Sequence, residues 1–290
     1  MSKRTVAWLT ICAATVMLFT PWGAYAGQAA KPLTKIVVLA PGPSAVTTFN
    51  FFVAAGEGYF KDEGLDAVWE AVDGSSQVLQ GVAAGKAQIG RPGPGPLLAA
   101  RGRGMDVVFI YNLYPKSIFG LVTKQGSPYK LPGDLKGKVI GVGTADGAEV
   151  AFVRPMFTDA GMQEGKDYTF LPVGDGGMAA AAFERGDIVA YAASMSDAAI
   201  IQRRGIPLRE LTPDKYLGYF GNGFVAMGSY IKENPEVIKG FGRALVRGTK
   251  FGLVKANRQK VLDYCKKGNP QEGEDVALSN ALLDQTIEKM

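Results

Sequence analysis

Histidine is absent from all 290 residues. That absence excludes Ser-His-Asp and Cys-His catalysis, imidazole metal ligation and the usual general base near neutral pH. Cysteine is almost as scarce: Cys12 lies in the N-terminal apolar run and Cys265 far downstream. A chain that loses its first 26 residues keeps one thiol and can form no internal disulfide. A dominant charge is lacking too, with 32 Lys and Arg against 27 Asp and Glu. Arg203-Arg204 and Lys266-Lys267 are isolated pairs, so there is no basic cluster of the kind nucleic acid requires. No Asp/Glu pair stands out that could replace histidine in hydrolysis. Repeats of 20–50 residues are missing, and the longest low-complexity tract is Arg91–Pro96. Disorder is excluded as well, because 47% of the chain is hydrophobic and only 20% charged.

Glycine, by contrast, is abundant. Its 38 residues are about 13% of the chain, against about 7% in an average protein. Glycine serves where a backbone turns tightly or approaches a ligand closely. The N-terminus has the layout of a secretory signal peptide: Lys3-Arg4, an apolar run from Val6 to Phe19, then Ala24-Tyr25-Ala26 with cleavage expected after Ala26. The apolar run is short of the ~20 residues that span a bilayer, which disfavours a membrane anchor. Bulky Ile11 before Cys12 disfavours a lipid-modified cysteine. Export across the membrane is therefore expected, and removing Lys3 and Arg4 from the 32 basic residues leaves 30 against 27, a balance of +3.

Short apolar runs rich in β-branched residues alternate with helical segments. The runs are 35–40, 65–71, 87–90, 107–111, 139–143, 168–173, 188–193 and 206–211. Helix starts are expected at Asp146-Gly147-Ala148-Glu149, with Asp146 as the cap, at Ser194-Met195-Ser196-Asp197, and at Asn234-Pro235-Glu236. Such alternation predicts an α/β architecture of mostly parallel sheets covered by helices. Crossings near Tyr114–Phe119 and Gly218–Gly223 divide the runs into two groups, and 224–231 reads as a strand returning to the first. The expected division is signal peptide 1–26, first lobe 33–118 with 221–290, and second lobe 119–220.

Ligands of open α/β sheets sit beyond the carboxyl ends of the strands, where helix N-termini offer free N–H groups and partial positive charge. Several loops fall there. Thr48 and Asn50 follow the first strand; Gly74, Ser75 and Ser76 follow the second. Arg91 follows the third, and a guanidinium at that position can grip an anion with two parallel hydrogen bonds. Tyr111, Asn112, Tyr114 and Lys116 stand where the chain leaves the first lobe, with hinge packing as their alternative role. In the second lobe Thr144 and Ser194 are the candidate contacts, Met195 an alternative to Ser194, while Asp146 and Asp197 serve their helices. Gly141, Gly143 and Gly147 do not have the spacing of a dinucleotide fingerprint.

The segment Gly58-Tyr59-Phe60-Lys61-Asp62-Glu63-Gly64-Leu65-Asp66, with Gly74-Ser75-Ser76, Ala84–Gly90 and Leu131–Val142, resembles the ordered motifs of ABC-transporter periplasmic substrate-binding proteins. The subgroup is the nitrate, sulfonate, taurine and thiamine-pyrimidine-precursor (NMT1/THI5-like) binding proteins. The resemblance implies a two-lobed type II binding-protein fold with a two-crossing hinge, and a monomer that delivers a small ligand to a membrane permease. It also implies no cofactor, no metal and no catalysis, and places Thr48, Ser75, Arg91, Asn112 and Thr144 on ligand-facing loops. Arg91 departs from the small residue usual at its position. Pyrimidine-synthase relatives do catalyse, but with an active-site histidine and cysteine-rich motifs that this chain lacks. The helical pattern still runs at Met290, and a missing final helix would leave part of the first lobe uncovered. A small organic anion with an apolar portion, such as a sulfonate, taurine-like molecule or carboxylate, is the expected ligand. Pyrimidine or thiamine-precursor binding, nitrate binding, and a sensory module that hands its closed form to a membrane receptor are the alternatives.

Overall fold

The computed structural model describes residues 32–290; the expected signal peptide and Cys12 lie outside the described residues. The first sheet contains β1 (Thr34–Pro41), β2 (Leu65–Val72), β3 (Ile89–Gly90), β4 (Val107–Tyr111) and β10 (Phe224–Met227), in the order β2-β1-β3-β10-β4. The second contains β5 (Phe119–Lys124), β6 (Lys138–Val142), β7 (Tyr168–Pro172), β8 (Ala190–Ser194) and β9 (Leu208–Glu210), in the order β7-β6-β8-β5-β9. Around the first pack α1 (Phe49–Gly56), α2 (Tyr59–Asp62), α3 (Gly74–Ala83) and α4 (Pro94–Gly102); around the second, α5 (Ala148–Asp159), α6 (Gly177–Arg185), α7 (Met195–Arg203) and α8 (Asp214–Leu217). The chain ends in α9 (Gly228–Glu233), α10 (Pro235–Gly252), α11 (Arg258–Gly268), α12 (Pro270–Glu274) and α13 (Val276–Lys289).

Each sheet has a parallel core and one antiparallel strand, β10 in the first and β5 in the second. The cause is the route of the chain. Both antiparallel strands arrive directly from the other lobe, enter at the end where the parallel strands leave, and so must run against them. Ile36, Val38, Ile89, Ile140 and Val142 are fully buried, because helices cover both faces of a parallel core.

Two expected elements change. β5 is missing from the predicted runs: Phe119–Lys124 begins at the edge of the expected first crossing, Tyr114–Phe119, and no run is expected over it. The strand expected over 224–231 stops at Met227, where α9 begins. Among the caps, Ser194 and Asp197 form the reciprocal box: Ser194 Oγ accepts from Asp197 N (3.3 Å) and Asp197 Oδ2 from Ser194 N (3.1 Å). Pro235 opens α10. Asp146 is not a cap; Gly147 occupies that position, and Glu149 turns back to accept from Thr144 N at 3.3 Å.

Helix α10 packs on α1 through the buried glycines Gly248, against Asn50 and Ala54, and Gly252, against Phe49. A Cβ at Gly248 would lie 2.2 Å from the Asn50 carbonyl oxygen, and backbone cannot yield as a side chain does. Gly248→Val should therefore separate the helices and cost about 3 kcal/mol, lowering Tm by roughly 6–12 °C in a circular-dichroism melt. A shift under 2 °C would show that the seam can relax.

Candidate functional site

The loops at the carboxyl ends of both sheets meet. Gly74 (φ +76°) opens α3, and a Cβ there would lie 3.1 Å from Thr144 Oγ1 of the second lobe. Ser76 Oγ donates to the Asp146 carbonyl at 3.4 Å. Beside this contact α4 lies against α5, where Cβ atoms on Gly93 and Gly95 would fall 2.2 and 2.3 Å from Ala148 and Ala151 Cβ. The two lobes are closed on each other.

Arg91 is only 3% exposed, and its Nε and Nη1 have no hydrogen-bond partner. Its guanidinium sits 5.8 Å from the Trp69 ring centroid and beside Tyr114, which is fully buried. Among the described residues no carboxylate pairs with Arg91. Burial accordingly pushes its pKa down, and burial pushes the Tyr114 phenol up. Tyr114 donates its hydroxyl to the Thr47 carbonyl, in the turn that leads to Thr48 and Asn50. Thr48 Oγ1 and Asn50 Oδ1 are buried and unpartnered, while Asn50 Nδ2 donates to Thr249 Oγ1 at 3.2 Å.

The remaining candidates stand differently. Ser75 Oγ is already used, accepting from Gly93 N at 3.0 Å. Ser194 Oγ is held by Asp197 Oδ2 (2.6 Å) and Ser196 Oγ (2.8 Å), so its hydroxyl serves the helix cap, while Met195 is buried. Asn112 is exposed at the start of the first crossing. Thr144 Oγ1 is buried, unpartnered and turned toward Gly74. Thr48, Asn50 and Arg91 thus keep buried unpartnered atoms in the first lobe, while Gly74, Ser76 and Thr144 lie at the lobe contact.

Three groups escaped the sequence reading. Asn222, in the second crossing, is buried with Oδ1 unpartnered, 3.3 Å from where a Cβ on Gly93 would sit. Its one local signal is the Gly221-Asn222-Gly223 setting. Glu272 is buried, and its carboxylate accepts from Ser44 Oγ (2.5 Å), Ala45 N and Val46 N (both 2.9 Å). The first helix N-terminus, read from sequence as a ligand-anion site, thus holds one of the chain's own carboxylates. In the second lobe, Glu149 and Asp175 converge on Gly143, where a Cβ would meet Asp175 Oδ1 at 2.2 Å and Glu149 Oε1 at 3.2 Å. No cluster of metal-ligating residues occurs among the described residues.

The family model described as "NMT1/THI5 like" matches residues 46–256, more than half of the chain. The chain belongs to this family. It is 25% identical over 287 residues to the riboflavin-binding protein RibY of Chloroflexus aurantiacus, covering 96% of this chain and 80% of that protein. The alkanesulfonate-binding protein SsuA of Xanthomonas axonopodis pv. citri, solved bound to MOPS, superposes with TM-score 0.68 at 17% identity, over 90% of this chain and 85% of that one. The periplasmic nitrate-binding protein NrtA of Synechocystis PCC 6803 follows at 0.65 and 12%, over 81% and 66%. The likeness to these structures shows the two-lobed periplasmic-binding-protein fold. As a member of the NMT1/THI5-like family, the chain is a periplasmic-binding-protein-like solute binder of the ABC-import type.

Proposed function

We propose that this chain is the extracytoplasmic solute-binding component of an ABC importer, closing lobes 33–118 with 221–290 and 119–220 on a small organic anion such as a sulfonate, taurine-like molecule or carboxylate. One observation carries the anion: a buried guanidinium with two unpartnered N–H-bearing nitrogens and no acidic partner among the described residues. An uncompensated buried charge is costly, and a bound anion relieves the cost through charge-assisted hydrogen bonds. Thr48, Asn50, Thr144 and Asn222 supply unpartnered oxygens for the rest of the solute. A permease in the cytoplasmic membrane is the partner this role requires.

A thermal-shift screen of the purified protein against sulfonates, carboxylates, nitrate, pyrimidines and riboflavin tests the reading. A ligand at 100 times its Kd adds about 2.7 kcal/mol of stability. Stabilisation by an organic anion is expected, and a response to neutral solutes alone would reject the anion.

A second reading, a flat aromatic solute, is favoured by a separate feature. A cavity of about 410 Å3 lies between α4 and α5, lined by Leu98, Phe119, Phe152, Tyr219 and Phe220 among others. Its size and apolar walls fit a small ring system, and the riboflavin-binding relative agrees with that chemistry.

Lobe closure has its own test. Gly95→Val places side-chain atoms where Ala151 already stands. The variant should keep its fold, adopt a more open form in small-angle X-ray scattering, and bind solute at least tenfold more weakly by calorimetry. Unchanged affinity would show that the α4–α5 contact does not limit closure.

A further inference from the structure

We propose that closure of the two lobes is linked to proton uptake by a carboxylate cluster at their contact. The cluster has members from both sides. Glu149 at the start of α5, Asp175 after β7 and Asp197 on α7 gather at the carboxyl end of the second sheet. Glu149 and Asp175 share the space over Gly143. Asp197 Oδ1 accepts from Gly176 N at 3.0 Å, which binds it to the same loop as Asp175. Facing them from the first lobe is Asp73, the N-cap of α3, whose neighbour Gly74 packs on Thr144.

No counter-charge balances this group. None of the four carboxylates takes part in an ion pair among the described residues. Asp146 adds a further acid on the adjoining loop, and Tyr191 lies beneath as a neutral phenol, held up by burial and then by Asp197, Asp175 and Glu149. Arg204, at the C-cap of α7, stands beside Gly177 and pairs with none of them. The lobes therefore close over like charges.

Protonation follows. Burial, then repulsion from Asp197 and Asp175, pushes Glu149 up to about 7 against the pull of its backbone hydrogen bonds. Burial and Asp175 push Asp197 up to about 6. Asp175 is raised by burial and next by Asp73, and this last influence acts across the lobe contact. Opening removes Asp73 from Asp175 and admits water at the contact, so Asp175 returns toward its ordinary range of about 4. Because the Asp175 pKa is raised across the contact in the closed form, that form holds more protons. Its advantage is complete below about pH 4 and is lost as pH rises through the raised value.

The test needs no solute, so a failed ligand screen leaves it untouched. Spin labels at Lys86→Cys and Glu184→Cys, exposed on opposite lobes, report the separation in a Cys12→Ala background where Cys265 is buried. The distance distribution should shift from mainly short at pH 5 to a longer component at pH 8, the population ratio changing at least tenfold. Asp73→Asn should flatten that response, and Asp175→Asn should do the same by removing the other side of the pair. Identical wild-type distributions at both pH values would overturn the proposal, as would a full response retained in both variants.

Discussion

Arg91→Met should weaken solute binding about 10- to 150-fold while raising the Tm of the ligand-free protein. The two effects have one cause. Without solute the guanidinium is buried, unpaired and short of hydrogen-bond acceptors. An apolar side chain of similar length removes that desolvation cost, and replacing buried charge by hydrophobic residues often stabilises by about 1–4 kcal/mol. With an anionic solute the same guanidinium donates charge-assisted hydrogen bonds, each contributing about 1.5–3 kcal/mol. Arg91→Lys should fall between, since an ammonium keeps the charge and loses the planar fork. Calorimetry with the anion that stabilises wild type in the thermal-shift screen measures the first effect, and a melt without ligand the second. Equal affinity in wild type and Arg91→Met would remove the anion from the assignment.

Glu272→Ala should destabilise the fold by about 3 kcal/mol, a fall of roughly 6–12 °C in Tm. The carboxylate holds Ser44 Oγ, Ala45 N and Val46 N, so its loss strands two buried amides at the turn leading into α1. It also sits on α12, whose first turn Asn269 caps through Glu272 N at 3.1 Å. Deleting the side chain therefore loosens the tie between the C-terminal helices and the first lobe. Because the variant exposes an anion-binding helix start, added acetate or sulfate should restore part of the lost Tm, with no comparable gain in wild type. A Tm within 2 °C of wild type, or equal anion effects in both proteins, would contradict this role.

Much of the fold is legible because it rests on local pattern. Short apolar runs rich in β-branched residues mark the strands of both sheets except β5, and the capping box at Ser194 and the proline at the start of α10 follow from spacings of three residues or fewer. β5 escaped because Phe119–Lys124 is a strand only once Ala190–Ser194 and Leu208–Glu210 pair with it from both sides. The candidate site was legible in part. Arg91, Thr48 and Asn50 lie near the end of a strand or the start of a helix, as their neighbours in sequence require. Glu149 looks like a helix-capping acid until Asp175 and Asp197 are placed around it.

Sequence alone determined the fold class, the placement of polar loops at strand ends and the exclusion of histidine chemistry, because each depends on composition or on neighbours a few residues apart. Tertiary structure decided which of those loops still has hydrogen-bonding capacity to offer. Glu272 reaches the Ser44–Val46 turn across more than 200 residues of chain and fills it, while among the described residues no carboxylate pairs with Arg91. Whether a donor is taken or left free depends on how distant segments pack, and no local spacing records that.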